Sequence, residues 1–188
     1  AYKDVEEGLK ETLTTLKNVA IETNKEFADK LGINVSAAIT CVKPSGTVSQ
    51  LTDTASGIHA RHSEYYMRRV RGDMKDKLTQ FLRDSGVSFE NAISGFEDLD
   101  QKKPIYNDEM GVFSFPIKAP NNCVTRDDEV AIDQLKLWLS YYRYWCEHKP
   151  SITVTVREDE WLNVASWVYE HFDEMSGISF LPYDGGKY

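Results

Sequence analysis

At 188 residues the chain has the length of a single domain and is long enough to bury a core, and its 41% apolar and 28% charged residues are ordinary for a globular protein. No uninterrupted apolar run approaches the roughly 18 residues that a membrane span needs. The net charge of -8, from 30 acidic and 22 basic residues, argues against a nucleic-acid polymer as partner, because such binding replaces counterions with a basic face. The opening AYKDVEEGLKE is charged and helical in character, unlike a signal peptide, so the cytoplasm is the expected compartment.

In chain order, residues 3 to 31 read as a long helix. Val5, Leu9, Leu13, Leu16, Val19 (or Ala20), Ile21, Phe27 and Leu31 recur at helical spacing, and Gly32 supplies the C-terminal glycine. Val35 to Val42 is small and β-branched enough for a buried strand, stopped by Pro44. PSGTVSQL is a turn feeding a short helix. Tyr65 to Val70 reads as a strand and Lys75 to Leu82 as a helix closing near Gly86. From Ser88 to Asn122, Gly, Pro, Asn and Asp break the pattern into short extended pieces such as Val112 to Ile117, and this is the least regular stretch.

Order returns with a helix from Asp128 to about His148, whose apolar face is Val130, Leu135, Leu137, Leu139, Tyr142 and Trp145. A strand follows at Ser151 to Val156. Next comes a helix from Glu158 to Phe172 with Trp161, Val164, Trp167 and Val168 inward, and a last strand at Ile178 to Leu181. Strands separated by helices indicate one α/β domain over 1–188 with parallel pairings. The sequence stops at PYDGGKY directly after a strand, where a domain would be expected to continue.

Three widely spaced cysteines, Cys41, Cys123 and Cys146, include no C-x-x-C pair and suit a reducing compartment. Cys41 in AAITCV reads as a buried, inert thiol. His59 and His62 lie three apart without a third ligand, so no metal site is expected.

Charge is uneven: Lys43 to Arg71 holds Lys43, Arg61, Arg68, Arg69 and Arg71 against Asp53 and Glu64, a local excess of positive charge in an acidic chain. That arrangement suits a small anion; a solvated strand of alternating charge explains it equally well. Two local motifs fall inside it. In TCVKPSGTVS, Pro44 ends the strand, Gly46 lets backbone approach a ligand, and Ser45, Thr47 and Ser49 offer hydroxyls at a helix start. Phosphate binding and plain helix capping both fit, and the G-x-x-x-x-G-K loop is absent. In ASGIHARH, Gly57 permits a sharp turn, and His59, Arg61 and His62 are possible cationic donors or members of a polar loop.

The string CVKPSGTVSQLTDTASGIHARHSEYYMRRVR resembles the phosphate-loop region of the adenosylcobalamin-dependent (class II) ribonucleotide reductases. CEHKPSITVTVREDEW and WVYEHFDEMSGISFLPYD follow in the order expected for the closing section of the same catalytic chain. The resemblance implies an α/β fold, the C-terminal part of a ten-stranded barrel in which strands and helices form a half-barrel with parallel strands. It implies that Ser45, Gly46, Thr47, Val48 and Ser49 hold the phosphates of a ribonucleoside di- or triphosphate. Pro44, Gly57, His59 and Arg61 would shape the neighbouring pocket. Adenosylcobalamin is implied by the family alone and would be bound with the missing part.

The departure from the family is as informative. Its radical cysteine sits in N-x-C-x-E ahead of the phosphate loop; here Asn121-Asn122-Cys123-Val124-Thr125 has Thr in place of Glu and follows the loop. A redox pair of cysteines is also missing from the pattern, so no residue of this chain takes a catalytic role. The expected function is the C-terminal portion of a reductase of deoxyribonucleotide synthesis, inactive alone. It would need an N-terminal reductase portion or self-association, without nucleic acid or membrane. The alternatives are a freestanding nucleotide- or phosphate-binding module without catalysis, and a decayed remnant with a structural role.

Overall fold

The computed structural model describes residues 2–46, 48–98 and 103–185, with the side chains of 7–46, 48–97 and 103–185. The chain groups into two compact units, one formed by 1–61 with 124–188 and the other by 62–123.

The first unit opens with helix α1 (Tyr2–Leu31), ended by Gly32 at φ 67°, where the Ile33 N–H donates to the Ala28 carbonyl at 3.1 Å. A single helical turn, α2 (Val48–Leu51), follows. Helix α4 (Ala131–Tyr144) then leads to strand β4 (Thr153–Val156), helix α5 (Trp161–Glu170) and strand β5 (Ser179–Pro182). β4 and β5 pair in parallel, Thr153 opposite Ser179 through Val156 opposite Pro182, with α5 as the crossover. The core of this unit lies where α4 and α5 cover β4: Leu135, Trp138, Val154 and Val156 have no exposed surface, joined by Ala131, Ile152, Val164 and Ile58. The Trp138 indole, too large to bury with an orphan N–H, donates to the Pro150 carbonyl at 3.1 Å.

The Glu160 carboxylate ties these elements together. One oxygen accepts the first α4 amide, Ala131 N–H, at 3.0 Å, and the other accepts Arg157 N–H at 2.9 Å. This replaces the side-chain cap that Val130 cannot provide.

The second unit holds strand β1 (Tyr65–Asp73), helix α3 (Lys77–Asp84) capped by Asp76, and strands β2 (Phe89–Asp98) and β3 (Lys103–Lys118). They form an antiparallel sheet in the order β1-β3-β2. Phe113 and Phe89 pack 5.3 Å apart, and a Cβ on Gly111 would stand 2.1 Å from the Phe89 ring, so glycine is required there.

Several expectations need correction. Among the described strands parallel pairing holds for β4 with β5, while the larger sheet is antiparallel throughout. The irregular reading of 88–122 was wrong, since this stretch holds two long strands. Its breakers are absorbed by geometry. β1 pairs with 110–118 of β3 and β2 with 103–113, so Pro104 and Pro116 each fall where β3 has one neighbour. Register shifts next to Asn91, Ile93 and Phe96 accommodate the remainder.

The strand expected at 35–42 does not form. Residues 31–38 are all exposed and no partner strand runs beside them. α4 is shorter than read at both ends, with Val130 and Leu137 outside the buried face and Ala131, Gln134, Leu135, Trp138 and Leu139 on it. On α5 Val164 and Trp167 are buried while Trp161 is exposed. On α1 only Leu13 of the predicted apolar stripe is buried, and the side chain of Val5 lies outside the described residues.

Candidate functional site

The segment singled out by sequence, 44–61, is anchored at both ends to the core of the first unit. Ahead of it, the Glu147 carboxylate accepts the Ile39 and Thr40 amides at 2.8 and 3.2 Å, and Glu147 N–H donates to the Thr40 carbonyl at 2.8 Å. Those amide bonds hold the Glu147 carboxyl below the usual carboxylate range. The Trp145 indole donates to the Cys41 carbonyl at 3.2 Å. Behind the segment, Arg61 bridges Thr125: its N–H donates to Val124 O at 3.0 Å and its carbonyl accepts from Arg126 N–H at 2.8 Å.

Between these anchors the loop is stiffened from within. Ser49 is buried; its N–H donates to Ser45 Oγ at 3.0 Å and its hydroxyl donates to the Ser45 carbonyl at 3.2 Å. The Ser49 carbonyl in turn receives Thr54 N–H at 2.9 Å and the hydroxyls of Thr52 and Thr54 at 3.2 and 3.3 Å. Gly57, at φ 67°, lies against Pro44: a Cβ there would sit 3.5 Å from Pro44 Cα. Pro44, Gly57 and His59 are thus brought together.

Gly46 and Val48 are exposed at the tip, and the space around a Gly46 Cβ is open. Thr47 lies outside the described residues. A hydroxyl that accepts a bond, as Ser45 does, keeps its proton to donate. The arrangement is a rigid turn with a polar, accessible tip, able to hold a small anion. Among its described residues it contains neither a nucleophile with an adjacent base nor a pair of carboxylates.

The basic groups are placed differently from the expectation. Both His59 ring nitrogens are committed: Nε2 accepts Thr153 N–H at 3.2 Å, so Nδ1 carries the proton and donates to the Ser56 carbonyl. His59 pins the loop to β4 and to itself through both ring nitrogens. Arg61, 5% exposed, is paired with Asp53 at 3.0 Å. His62, Arg68, Arg69 and Arg71 belong to the other unit, where β1 alternates exposed and half-buried residues and Arg69 pairs with Glu90.

Sequence reading missed Asp53, Glu147 and Gln134. The Gln134 side chain, 3% exposed, donates to the Ile58 and Thr153 carbonyls at 3.3 and 3.2 Å. Only Asp53 carried a usable signal, as an acid within a basic stretch.

Cys41, Cys123 and Cys146 form no disulfide with one another. Cys146 is buried, which pushes its thiol up to about 11, and Cys41 is half-buried with its Sγ near the His148 and Lys149 carbonyls. Among the described residues no group of His, Cys, Asp and Glu could hold a metal ion, and no helix is long and apolar enough to cross a membrane.

No family model matches the chain. Individual proteins do. It is 28% identical over 180 residues to an adenosylcobalamin-dependent ribonucleoside-triphosphate reductase of Lactobacillus gasseri, covering 94% of this chain and 23% of that one. The reductase of the same name from Euglena gracilis is 30% identical over 181 residues, covering 93% and 23%. Among solved structures, a B12-dependent (class II) ribonucleotide reductase superposes with a TM-score of 0.74 at 26% identity, covering 95% of this chain and 24% of that chain. The chain therefore spans under a quarter of the length of the curated relatives it matches. Over more than nine tenths of its own length, in sequence and in fold, this chain is similar to a stretch of the adenosylcobalamin-dependent ribonucleotide reductases.

Proposed function

We propose that this chain is the C-terminal portion of a ribonucleotide reductase, supplying the loop that holds the substrate's phosphates. The observation that carries the reading is the anchored turn at 44–49, with an accessible tip at Gly46 and Val48, inside a chain similar to class II reductases almost throughout. The relatives' names point to a ribonucleoside triphosphate as ligand. Ser45 and the backbone of Gly46 and Val48 would contact its phosphates, with Ser49 bracing the turn through its bonds to Ser45 and with Pro44, Gly57, His59 and Arg61 fixing the wall of the pocket. His59 and Arg61 act through hydrogen bonds to the protein rather than through charge offered to the ligand.

In this reading the chain forms one α/β domain that contributes parallel strands to a ten-stranded barrel in the cytoplasm. The radical cysteine comes from an N-terminal portion carrying N-x-C-x-E, and this chain alone reduces nothing. Adenosylcobalamin belongs with that other portion. A groove of about 710 Å³ is lined by Glu7, Gly8, Lys10, Glu11, Thr14 and Thr15 along one face of a single helix, a one-sided polar surface that does not enclose a corrin ring. The competing reading, a freestanding phosphate-binding module, is favoured by one feature: both anchors of the loop lie within this chain.

Calorimetric titration of the full chain with a ribonucleoside triphosphate and with the matching nucleoside tests the assignment. The triphosphate should bind and the nucleoside should not. Gly46→Asp, which adds a charge in open space, should weaken triphosphate binding at least about tenfold with unchanged melting temperature. Equal binding of triphosphate by both chains would remove the loop from the site.

A further inference from the structure

Two of the three cysteines meet. Residues 39–41, ahead of the 44–49 turn, run beside 145–147, which follow α4. The Thr40 hydroxyl donates to the Trp145 carbonyl, the Trp145 indole donates to the Cys41 carbonyl at 3.2 Å, and Glu147 N–H donates to the Thr40 carbonyl at 2.8 Å. Cys146 lies between these two bonded residues, so its side chain is held against the segment that carries Cys41. Cys41 Sγ stands 3.6 and 3.5 Å from the His148 and Lys149 carbonyls, over the bend that follows Cys146. From the other side, the Cys146 thiol has the Val42 amide and the Cys41 thiol as hydrogen-bonding neighbours. Among the described residues no His, Asp or Glu completes a metal-holding group with the pair.

The two thiols differ in access. Cys146 is 7% exposed and burial holds it protonated, whereas Cys41 is half-buried. Cys41, expected from its apolar run to be inert, is therefore the thiol that a small reagent reaches first. A half-buried thiol beside a buried one, each fixed by hydrogen bonds of its own backbone, needs little movement to close a bond. In reducing surroundings such a pair stays a dithiol and joins only when an oxidant is supplied.

We propose that Cys41 and Cys146 form a reversible redox site whose oxidant is a low-molecular-weight disulfide. Cys41, as thiolate, attacks one sulfur of the small disulfide; that S–S bond breaks, and the first small thiol leaves with the proton that Cys41 gave up. Cys146 then gives up its own proton and attacks Cys41 Sγ. The Cys41–Cys146 bond forms, and the second small thiol is expelled and takes that proton. Two protein thiols are oxidised by two electrons, and one small disulfide is reduced to two thiols. The second step is intramolecular, and a thiol that ionises reluctantly makes a strong nucleophile once it has done so. The bond pins the segment ahead of the 44–49 turn to the end of α4 and closes a loop of about 100 residues. This site stands apart from the proposed function, because it needs no nucleotide and no second polypeptide.

The full chain is incubated with oxidised glutathione under native conditions, alkylated, digested and mapped by mass spectrometry, and the same sample is melted. The expected product is a peptide linked through Cys41 and Cys146, with a melting temperature raised by roughly 5–15 °C. Dithiothreitol should restore both thiols and the original melt. Cys146→Ala should stop at a glutathione adduct on Cys41, and Cys123→Ser, in the other unit, should form the link as wild type does. A glutathione adduct that persists on Cys41 of the wild-type chain without a link overturns the proposal. So does a wild-type chain in which Cys123 alone reacts while Cys41 and Cys146 are both recovered alkylated. Both contrary results are read on the wild-type chain and do not depend on a variant folding.

Discussion

Glu129 and Glu147 show how far the surroundings of a single carboxyl decide its behaviour. Burial pushes Glu129 up to about 7, whereas amide bonds from Ile39 and Thr40 pull Glu147 down. The two give opposite pH dependence. A raised carboxyl binds more protons folded than unfolded, so the stability linked to Glu129 declines as pH rises from its ordinary value of 4.5 towards 7. The Glu147 contribution is present above 4.5 and is lost as pH falls through its lowered value. Glu129→Gln should therefore match the wild-type melting temperature near pH 4 and exceed it by about 2–4 °C at pH 8 in thermal melts. An equal difference at both pH values would contradict the assignment to burial. Neither carboxyl was legible in the sequence, because a shift of this kind depends on partners distant in the chain, Ile39 and Thr40 for Glu147.

At the scale of elements, sequence reading succeeded where an element carries its own signal and failed where pairing decides. α4 and α5 were visible from apolar spacing, and β4 and β5 from β-branched runs between turn residues. Helix ends were misplaced because α4 is capped by Glu160, a residue far along the chain. β2 was missed and β3 was seen only as the short extended piece Val112 to Ile117, because their Gly, Pro and Asn residues were counted as breakers, although each proline falls where β3 lacks a second neighbour. The loop at 44–49 was read from local residues and lies in a turn, while the wiring of His59 to β4 and Arg61 to Asp53 was not visible. The α4–β4 contact is the centre of the first unit. Trp138→Ala removes a side chain with no exposed surface, its stacking on Tyr142 and its bond to Pro150. It should lower unfolding free energy by about 3–5 kcal/mol in urea denaturation; a loss below about 1 kcal/mol would place the core elsewhere.

At the scale of the whole molecule, the largest departures from the expected α/β pattern share one physical cause. Among the described residues the strand expected at 35–42 joins no sheet, β4 and β5 form a parallel sheet of two strands, and α1 leaves Leu16, Val19, Phe27 and Leu31 more than half exposed. Parallel strands are ordinarily buried in larger sheets with both faces covered. Each feature agrees with the proposed reading of the chain as a portion of a larger α/β fold and with its similarity to under a quarter of longer reductases. In the proposed reading, the contacts that would satisfy these features come from the remainder of a reductase.

The most direct test of the account is reconstitution. This chain, an N-terminal reductase portion carrying N-x-C-x-E, adenosylcobalamin and a reductant are mixed with a ribonucleoside triphosphate, and deoxynucleotide is quantified. The account predicts product only when both polypeptides are present, and its loss with Gly46→Asp. A stable monomer that binds triphosphate yet yields no product with the complementary portion would contradict it and identify a freestanding binding module.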